Sequence, residues 1–368
     1  MFDLENHPTS RSLGSRYPIF GLSHNLDVVA AICNAGGIGI WAAARLLPEE
    51  IVEQSRMLRE SVGDKPFGIN LMLPTKVPPV QDRAAVEVGI PEEHKAFVAR
   101  LYAKYGVPDD GLIGERNRIV RSDELFDDQI EAALQSSANL FAMAVGSRPS
   151  VPDRARAAGM RLVALVGSPR HVPSALGLEP DFLVAQGYDA GGHTGQVGTF
   201  TLVPKIVEMA GEVPVLAAGG IGTGSQIAAS LAMGAAGVWL GTVWLGTSEE
   251  HLPEALLGKV LRAGCEDTVI TRCSSGKPMR QVKTAWAQEW AGEDAPVPLP
   301  MPWQDLLVGS LEGAAKRHGI EPLLYTPAGQ SVEWVREVTP VAEVMNRLVS
   351  ETNKAAAVLA SATQKAEG

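Results

Sequence analysis

The side chain best placed to do chemistry in this sequence is His193. It follows Gly191 and Gly192 and comes shortly after Gln186, at the end of the apolar run Phe182–Ala185. An imidazole with an ordinary pKa near 6.5 can move a proton at neutral pH, or orient a polar ligand by hydrogen bonding. Two glycine stretches suggest a different task. Gly219-Gly220-Ile221-Gly222-Thr223-Gly224 leaves the apolar run Val213–Ala217 and leads into the helical Ser225–Met233, and Gly241-Thr242 ends the next apolar run. Small residues between a strand and a helix leave backbone N–H groups open to an anion, and the positive end of the helix favours the same charge. A phosphate is the expected guest. His24, just after the first apolar run, is a candidate pocket residue.

Other chemistries fail on spacing. No His, Cys or carboxylate stands at metal-ligand spacing from His193, so no metal is expected. Ser23, His24 and Asp27 lack the G-x-S-x-G elbow of a serine hydrolase. Gly37-Ile38-Gly39-Ile40-Trp41-Ala42 spells a dinucleotide fingerprint, but it opens a strand where that motif must leave one. Gly276-Lys277 lacks the rest of a P-loop.

The elements that must position these residues alternate steadily. Apolar runs at 17–22, 37–42, 65–71, 140–145, 161–166, 182–185, 213–217 and 237–240 are separated by segments long enough for a helix. Parallel strands with crossover helices follow from that pattern. Eight of them predict a (β/α)8 TIM barrel, an α/β fold whose strand ends share the rim where barrel sites lie. The rhythm breaks between Pro74 and about Asp127, a stretch rich in proline and charge with a helical patch at Glu92–Tyr105; its length suggests a lid. The expected organisation is a barrel over 1–250 carrying that insertion, an accessory helical lid region over 251–325, with Arg272–Trp290 read as helical, and a C-terminal segment over 326–368. A terminal helix at 341–360 should pack back on the barrel.

Composition narrows the class. With 368 residues, 45% hydrophobic, 20% charged and 38 glycines, the chain reads as a globular α/β enzyme. A formal charge of −10 argues against nucleic acid or an anionic membrane surface as partner. The first residues show no signal-peptide pattern and no run reaches bilayer length. Three cysteines without a CxxC pair fit a reducing cytoplasm.

With these residues in view, the sequence resembles the nitronate monooxygenase (2-nitropropane dioxygenase-like) family of flavoproteins. Gln186-Gly187-Tyr188-Asp189-Ala190-Gly191-Gly192-His193 is similar to the family's Gln-Gly-x-Glu-Ala-Gly-Gly-His loop, with Asp189 where Glu is usual. Pro214–Ile221, Gly234–Thr242, Asn34–Gly39, Gly68–Asn70 and Ala328–Gln330 add to the likeness. The resemblance implies a barrel that binds FMN non-covalently. Asn70, Gln186, Gly191 and Gly220, with Gly192 and Gly219 beside them, would contact the flavin. Trp239, Leu240, Gly241 and Thr242 would wrap its phosphate end. Gly21-Leu22-Ser23, followed by His24, stands where the family carries Ala-Pro-Met beneath the flavin. His193 would face a small nitronate or nitroalkane as base, with dioxygen as second substrate. NAD(P)H-dependent reduction of an enoyl thioester or quinone is the alternative on the same scaffold, and association as a homodimer is left open.

Overall fold

Eight short apolar runs do form a closed parallel barrel. The computed structural model describes residues 4–366. Its strands are β1 (Ile19–Ser23), β2 (Ile38–Ala42), β3 (Phe67–Met72), β4 (Leu140–Ala144), β5 (Arg161–Val166), β6 (Phe182–Gln186), β7 (Gly192–His193), β8 (Val215–Ala218), β9 (Gly237–Leu240), β10 (Thr268–Thr271) and β11 (Met279–Val282). The barrel closes in the order β1-β2-β3-β4-β5-β6-β8-β9, with β9 returning to β1 through Ile19↔Val238 and Gly21↔Leu240. Its interior is a packed core of branched and aromatic side chains, among them Phe20, Ile38, Ile40, Val163, Val184, Leu216 and Trp239. Strand limits match the sequence reading for β5 and β9 and differ from it by one or two residues elsewhere. The ladder, rather than hydrophobicity, decides where a strand ends, so β6 runs on to include Gln186.

Two long excursions leave the same rim. The first, 73–122, follows β3 and is shorter than expected. Ser122 caps the next helix by accepting from the Leu125 amide, with Asp123 and Glu124 in the first turn, so Asp123–Leu134 is a barrel helix and not part of the insertion. The second, 241–340, separates β9 from its helix. That helix is Val341–Ala366, which packs against Gly224–Ala232 and Leu26–Asn34 and fills the eighth helical position. Val341, Met345 and Leu348 are buried there beside Ile227 and Val28.

The accessory region carries three helices, Glu254–Arg262, Ala285–Glu289 and Trp303–Arg317. The expectation of helix over Arg272–Trp290 is corrected by the structure. Met279–Val282 pairs antiparallel with Thr268–Thr271, and its other edge takes Gly192–His193 to complete a three-stranded sheet. Thr268-Val-Ile-Thr271 is β-branched throughout, and Gly276, at φ +74°, lies in the connection between the two strands. Such residues favour a pleated ladder over a helix.

The two excursions share a core. Phe97, Val98 and Leu101 of the first pack with Trp286, Trp290, Val308 and Leu311 of the second, and the Phe97 and Trp290 rings meet edge-on at 4.8 Å. A buried ion cluster ties them further. Arg116 reaches Asp305 at 3.0 Å and Glu312 at 2.8 Å, while Arg121 reaches the other oxygen of Asp305 at 3.3 Å. Removing Asp305 leaves both guanidinium groups short of their shared counter-charge, which in buried networks costs about 3–5 kcal/mol. Asp305→Ala should therefore lower the unfolding midpoint and expose 73–122 to limited proteolysis before the barrel is cut. Simultaneous digestion of cap and barrel, or an unchanged midpoint, contradicts this linkage.

Candidate active site

The carboxyl ends of the barrel strands open into a cavity that collects nearly every residue singled out from the sequence. Leu22, Ser23 and His24 lie at the end of β1, Asn70 on β3 and Gln186 on β6. Gly191, Gly192 and His193 come from the next loop, Gly219 and Gly220 from the end of β8, and Trp239, Leu240, Gly241 and Thr242 from the end of β9. Gly21 stands apart. A Cβ there would lie 2.5 Å from Ile32 and 2.8 Å from the Trp244 indole nitrogen, so its lack of a side chain serves packing against the helix behind β1.

His193 is held from several directions. Its backbone belongs to β7, paired with Met279. Its carbonyl accepts from Gln186 Nε2 at 2.6 Å, and its Nε2 lies 2.9 Å from Ser275 Oγ. Nδ1 makes no protein hydrogen bond among the described residues. Burial is the main influence on this imidazole, followed by Arg121, Arg116 and Lys277, and its pKa falls to about 3. His193 is accordingly neutral at pH 7. His24 is similar: burial and then Arg45 bring it down to about 4, although its ring surface opens onto the cavity. Because its Nδ1 lies 2.9 Å from the Ala42 carbonyl, which can only accept, Nδ1 carries the proton and Nε2 is the acceptor.

The electrostatic wall was not foreseen. Arg45, from the turn after β2, and Arg116 and Arg121, from the first excursion, all line the cavity, as does Ser275 from the hairpin connection. Arg116 and Arg121 are neutralised by Asp305 and Glu312. The Arg45 guanidinium has no ion pair or hydrogen bond among the described residues. Burial, then the like charge of Arg116, lowers its pKa to about 10, so it stays charged. Glu250 stands against Ser23, donated to at 3.0 Å, and burial raises its pKa. Nothing in local sequence marks Arg45, Arg116 or Arg121 as pocket residues.

The donor set fits a flavin. Asn70 gives its amide N–H to Ala142 O and Gln186 its own to His193 O, leaving both side-chain oxygens without a protein partner beside the cavity. The glycine turn is rigidly set. Gly219 and Gly220 take φ of +101° and +70°, and Gln226 clamps the loop by donating to Gly220 O and accepting from the Gly222 and Thr223 amides. Cβ atoms added at Gly192 or Gly241 would meet no protein atom within 4 Å, so these backbones border open cavity. The Asp189 that replaces the usual Glu is structural, since it accepts from the Thr199 amide and caps Thr199–Ala210. Ala328-Gly329-Gln330 acts as a clasp: the Gly329 amide donates to Thr242 Oγ1 and the Gln330 amide to Asp189 O.

Two outcomes follow from this geometry. Gly241→Ala meets no protein obstacle, so the variant should fold normally yet retain flavin poorly; a fully yellow variant with an unchanged binding constant contradicts a phosphate site there. Gly220→Val is a less clean probe, since it strains a positive φ and crowds Asp189 Cβ at 2.9 Å. The second outcome concerns pH. Below about pH 6.5 an unfolded chain protonates this histidine, whereas the folded chain does not until near pH 3. Stability is therefore lost as pH falls through that window. Denaturation midpoints measured from pH 7 to 4 should decline less steeply for His193→Asn than for the parent, and parallel curves would remove the argument.

Comparisons with known proteins agree with this geometry. Residues 17–351 match the family described as nitronate monooxygenase. The Mycobacterium tuberculosis protein Rv1533, a monooxygenase by name, is 40% identical over 307 residues, covering 80% of this chain and 81% of its own. A Staphylococcus aureus "Probable nitronate monooxygenase" is 26% identical over 94% of this chain and 97% of its own. Among solved structures, nitroalkane oxidase from Streptomyces ansochromogenes superposes with a TM-score of 0.79 at 28% identity, covering 95% of this chain and 99% of that one. The chain belongs to the nitronate monooxygenase family and is a flavin-dependent oxidoreductase.

Proposed function

We propose that the protein binds FMN at the glycine turns after β8 and β9 and oxidises small alkyl nitronates with dioxygen. The observation that carries this reading is the charge of the cavity wall: a half-buried Arg45 with no ion pair among the described residues, facing the same space as a neutral His193. Such a wall favours a small anion over a neutral molecule. When bound, FMN supplies the redox chemistry, accepting the electron pair from the substrate and passing it to dioxygen.

The chain's residues divide the remaining work. The free Nδ1 of His193 is a donor when Ser275 donates to Nε2, and in that tautomer it can hold a nitronate oxygen. When Nε2–H instead donates to Ser275, Nδ1 is a lone pair that can remove the α-proton of a neutral nitroalkane. That base route forms an imidazolium in a place where burial and three arginines disfavour it. A nitronate, already deprotonated, avoids the step. Arg45 supplies the charge that draws the anion in, and residues 73–122 with Met301 act as the lid that keeps water out.

Anaerobic mixing monitored by the visible spectrum tests the assignment. Ethyl nitronate should bleach the flavin rapidly, nitroethane slowly and NAD(P)H hardly at all; bleaching by NAD(P)H alone would move the protein to the reductase reading. In His193→Asn the nitroethane reaction should fall by roughly 10²–10⁴-fold with a much smaller loss for the nitronate. Arg45→Met should weaken nitronate binding by about ten- to a hundredfold, the worth of a charge-assisted hydrogen bond. Equal losses for both substrates in His193→Asn would remove the division of roles.

A further inference from the structure

His24 lines the active cavity and takes no part in the reaction described above. Its place on the rim is fixed from both sides. Ser23 Oγ accepts from the Asn25 amide and donates to Glu250, while Asn25 Nδ2 donates to the Glu249 and Glu250 carbonyls at 3.0 Å each. Asn25 Oδ1 accepts from the Asp27 amide and so caps Leu26–Asn34. The turn that carries His24 is thereby tied both to the second excursion and to the helix behind β1. The ring itself lies against the end of β2, where Nδ1 meets the Ala42 carbonyl.

That contact decides what the ring can offer. With the proton on Nδ1, Nε2 presents a lone pair, and it has no hydrogen-bond partner among the described residues. The side chain is exposed toward the cavity, and burial beneath the cap with the charge of Arg45 keeps it unprotonated at neutral pH. His193 differs, because its tautomer can change and its Nδ1 can serve either way. Arg45 can only donate. His24 is thus a fixed acceptor in a cavity otherwise arranged to hold an anion. A carboxylate or nitronate oxygen placed against Nε2 would set lone pair against lone pair. An ammonium would meet three arginines against the single carboxylate of Glu250. A methyl group would leave Nε2 desolvated and unpaired, the means by which polar sites reject apolar analogues. A neutral donor remains, and a hydroxyl is the smallest.

The position of this acceptor gives the ligand two ends. Along the rim, β9 and β8 separate β1 from β6, beyond which His193 stands. We propose that His24 is a hydroxyl subsite: the substrate is a small anion that also carries an alcohol, its charged end held by His193 and Arg45 and its O–H donating to His24 Nε2. A hydroxyalkyl nitronate is the substrate class that this describes. That the anion is a nitronate rests on the reading above; the acceptor at His24 does not.

Carboxylates test the subsite without turnover, because a carboxylate shares the planar pair of oxygens of a nitronate. The flavin-loaded protein is titrated with 3-hydroxypropanoate, 4-hydroxybutanoate and 5-hydroxypentanoate, and with butanoate, pentanoate and hexanoate, in which methyl replaces the hydroxyl. Perturbation of the visible spectrum reads the dissociation constants. For at least one chain length the hydroxylated ligand should bind tighter by roughly tenfold or more, against the usual preference of a pocket for the more apolar ligand. In His24→Phe, which keeps a ring of similar shape, that preference should vanish while FMN is retained. His24→Gln, which can still accept, should restore part of it. Turnover should follow the same order: the nitronate of 3-nitropropan-1-ol should exceed that of 1-nitrobutane in kcat/KM, and should not in His24→Phe. No preference for the hydroxyl at any length, or a preference that survives in His24→Phe, overturns the subsite. Loss of FMN from His24→Phe overturns it as well, by making the flavin the partner of Nε2. If neither nitronate reduces the flavin, the nitronate reading falls and the carboxylate series alone decides His24.

Discussion

The geometry of the site depends on how the Gly191-Gly192-His193 loop is fastened. A loop that follows a barrel strand has no ladder of its own to hold it. Here it borrows one, pairing Gly192 and His193 with Arg280 and Met279 of the hairpin. Arg280, almost fully buried, reinforces the junction by donating from Nε and Nη2 to Tyr188 O and from Nη1 to Thr268 Oγ1, with its guanidinium 4.5 Å from the Tyr188 ring centroid. On the opposite side, Ala328 and Gly329 approach so closely that a Cβ at Gly191 would sit 2.6 Å from the Gly329 amide. Each such hydrogen bond contributes only about 1 kcal/mol to stability. Their combined effect is positional, fixing one imidazole against one serine in a cavity where a small displacement would change what Nδ1 faces.

Electrostatics around that imidazole run against stability. Two histidines are kept neutral and three arginines gather around the same space, with Asp305 and Glu312 to balance two of them. An arrangement tuned for stability alone would have given Arg45 a carboxylate. Leaving it bare costs folding free energy and keeps a standing attraction for an anion, the usual exchange at functional sites. The same wall lowers the basicity of His193. A cavity that attracts nitronates is, by the same charges, a poor place to create an imidazolium, so anion binding and general-base strength cannot both be raised here.

How much of this was legible in the sequence follows from which interactions are local. The strands were readable because a parallel strand buried on both faces is a short apolar run, and Arg161–Val166 and Gly237–Leu240 were placed to the residue. The glycine turns and the Gly-Gly-His loop were readable because turn chemistry is written in adjacent residues. The first turn of Asp123–Leu134 was absorbed into the insertion, although Ser122, Asp123 and Glu124 carried a helix-start signal. The hairpin was lost because its strands are four residues long, one of them with Arg280 and Gln281 inside it, and give little periodicity. Arg45, Arg116, Arg121 and Ser275 were invisible for a deeper reason. Their place at the cavity is set by pairings between residues far apart in the chain, such as Arg116 with Asp305, and no window of sequence contains both partners.

That the cap is assembled from two distant excursions is less costly than it looks. Both leave the carboxyl rim, one after β3 and one after β9, so both begin on the side of the barrel where a cavity needs a roof. The entropy lost in closing a flexible loop grows only with the logarithm of its length, about 0.6 kcal/mol per doubling. Bringing residues 73–122 against 241–340 therefore costs little more than folding one compact insertion. The return is larger: a shared apolar core around Phe97, Trp286 and Trp290, and an ion cluster that forms only when both parts are in place. The cluster also delivers two of the cavity's arginines. Cap assembly and the charge of the site are thus one structural event, and Asp305 couples them, because the group that locks the roof is also the group that decides how much positive charge the cavity shows.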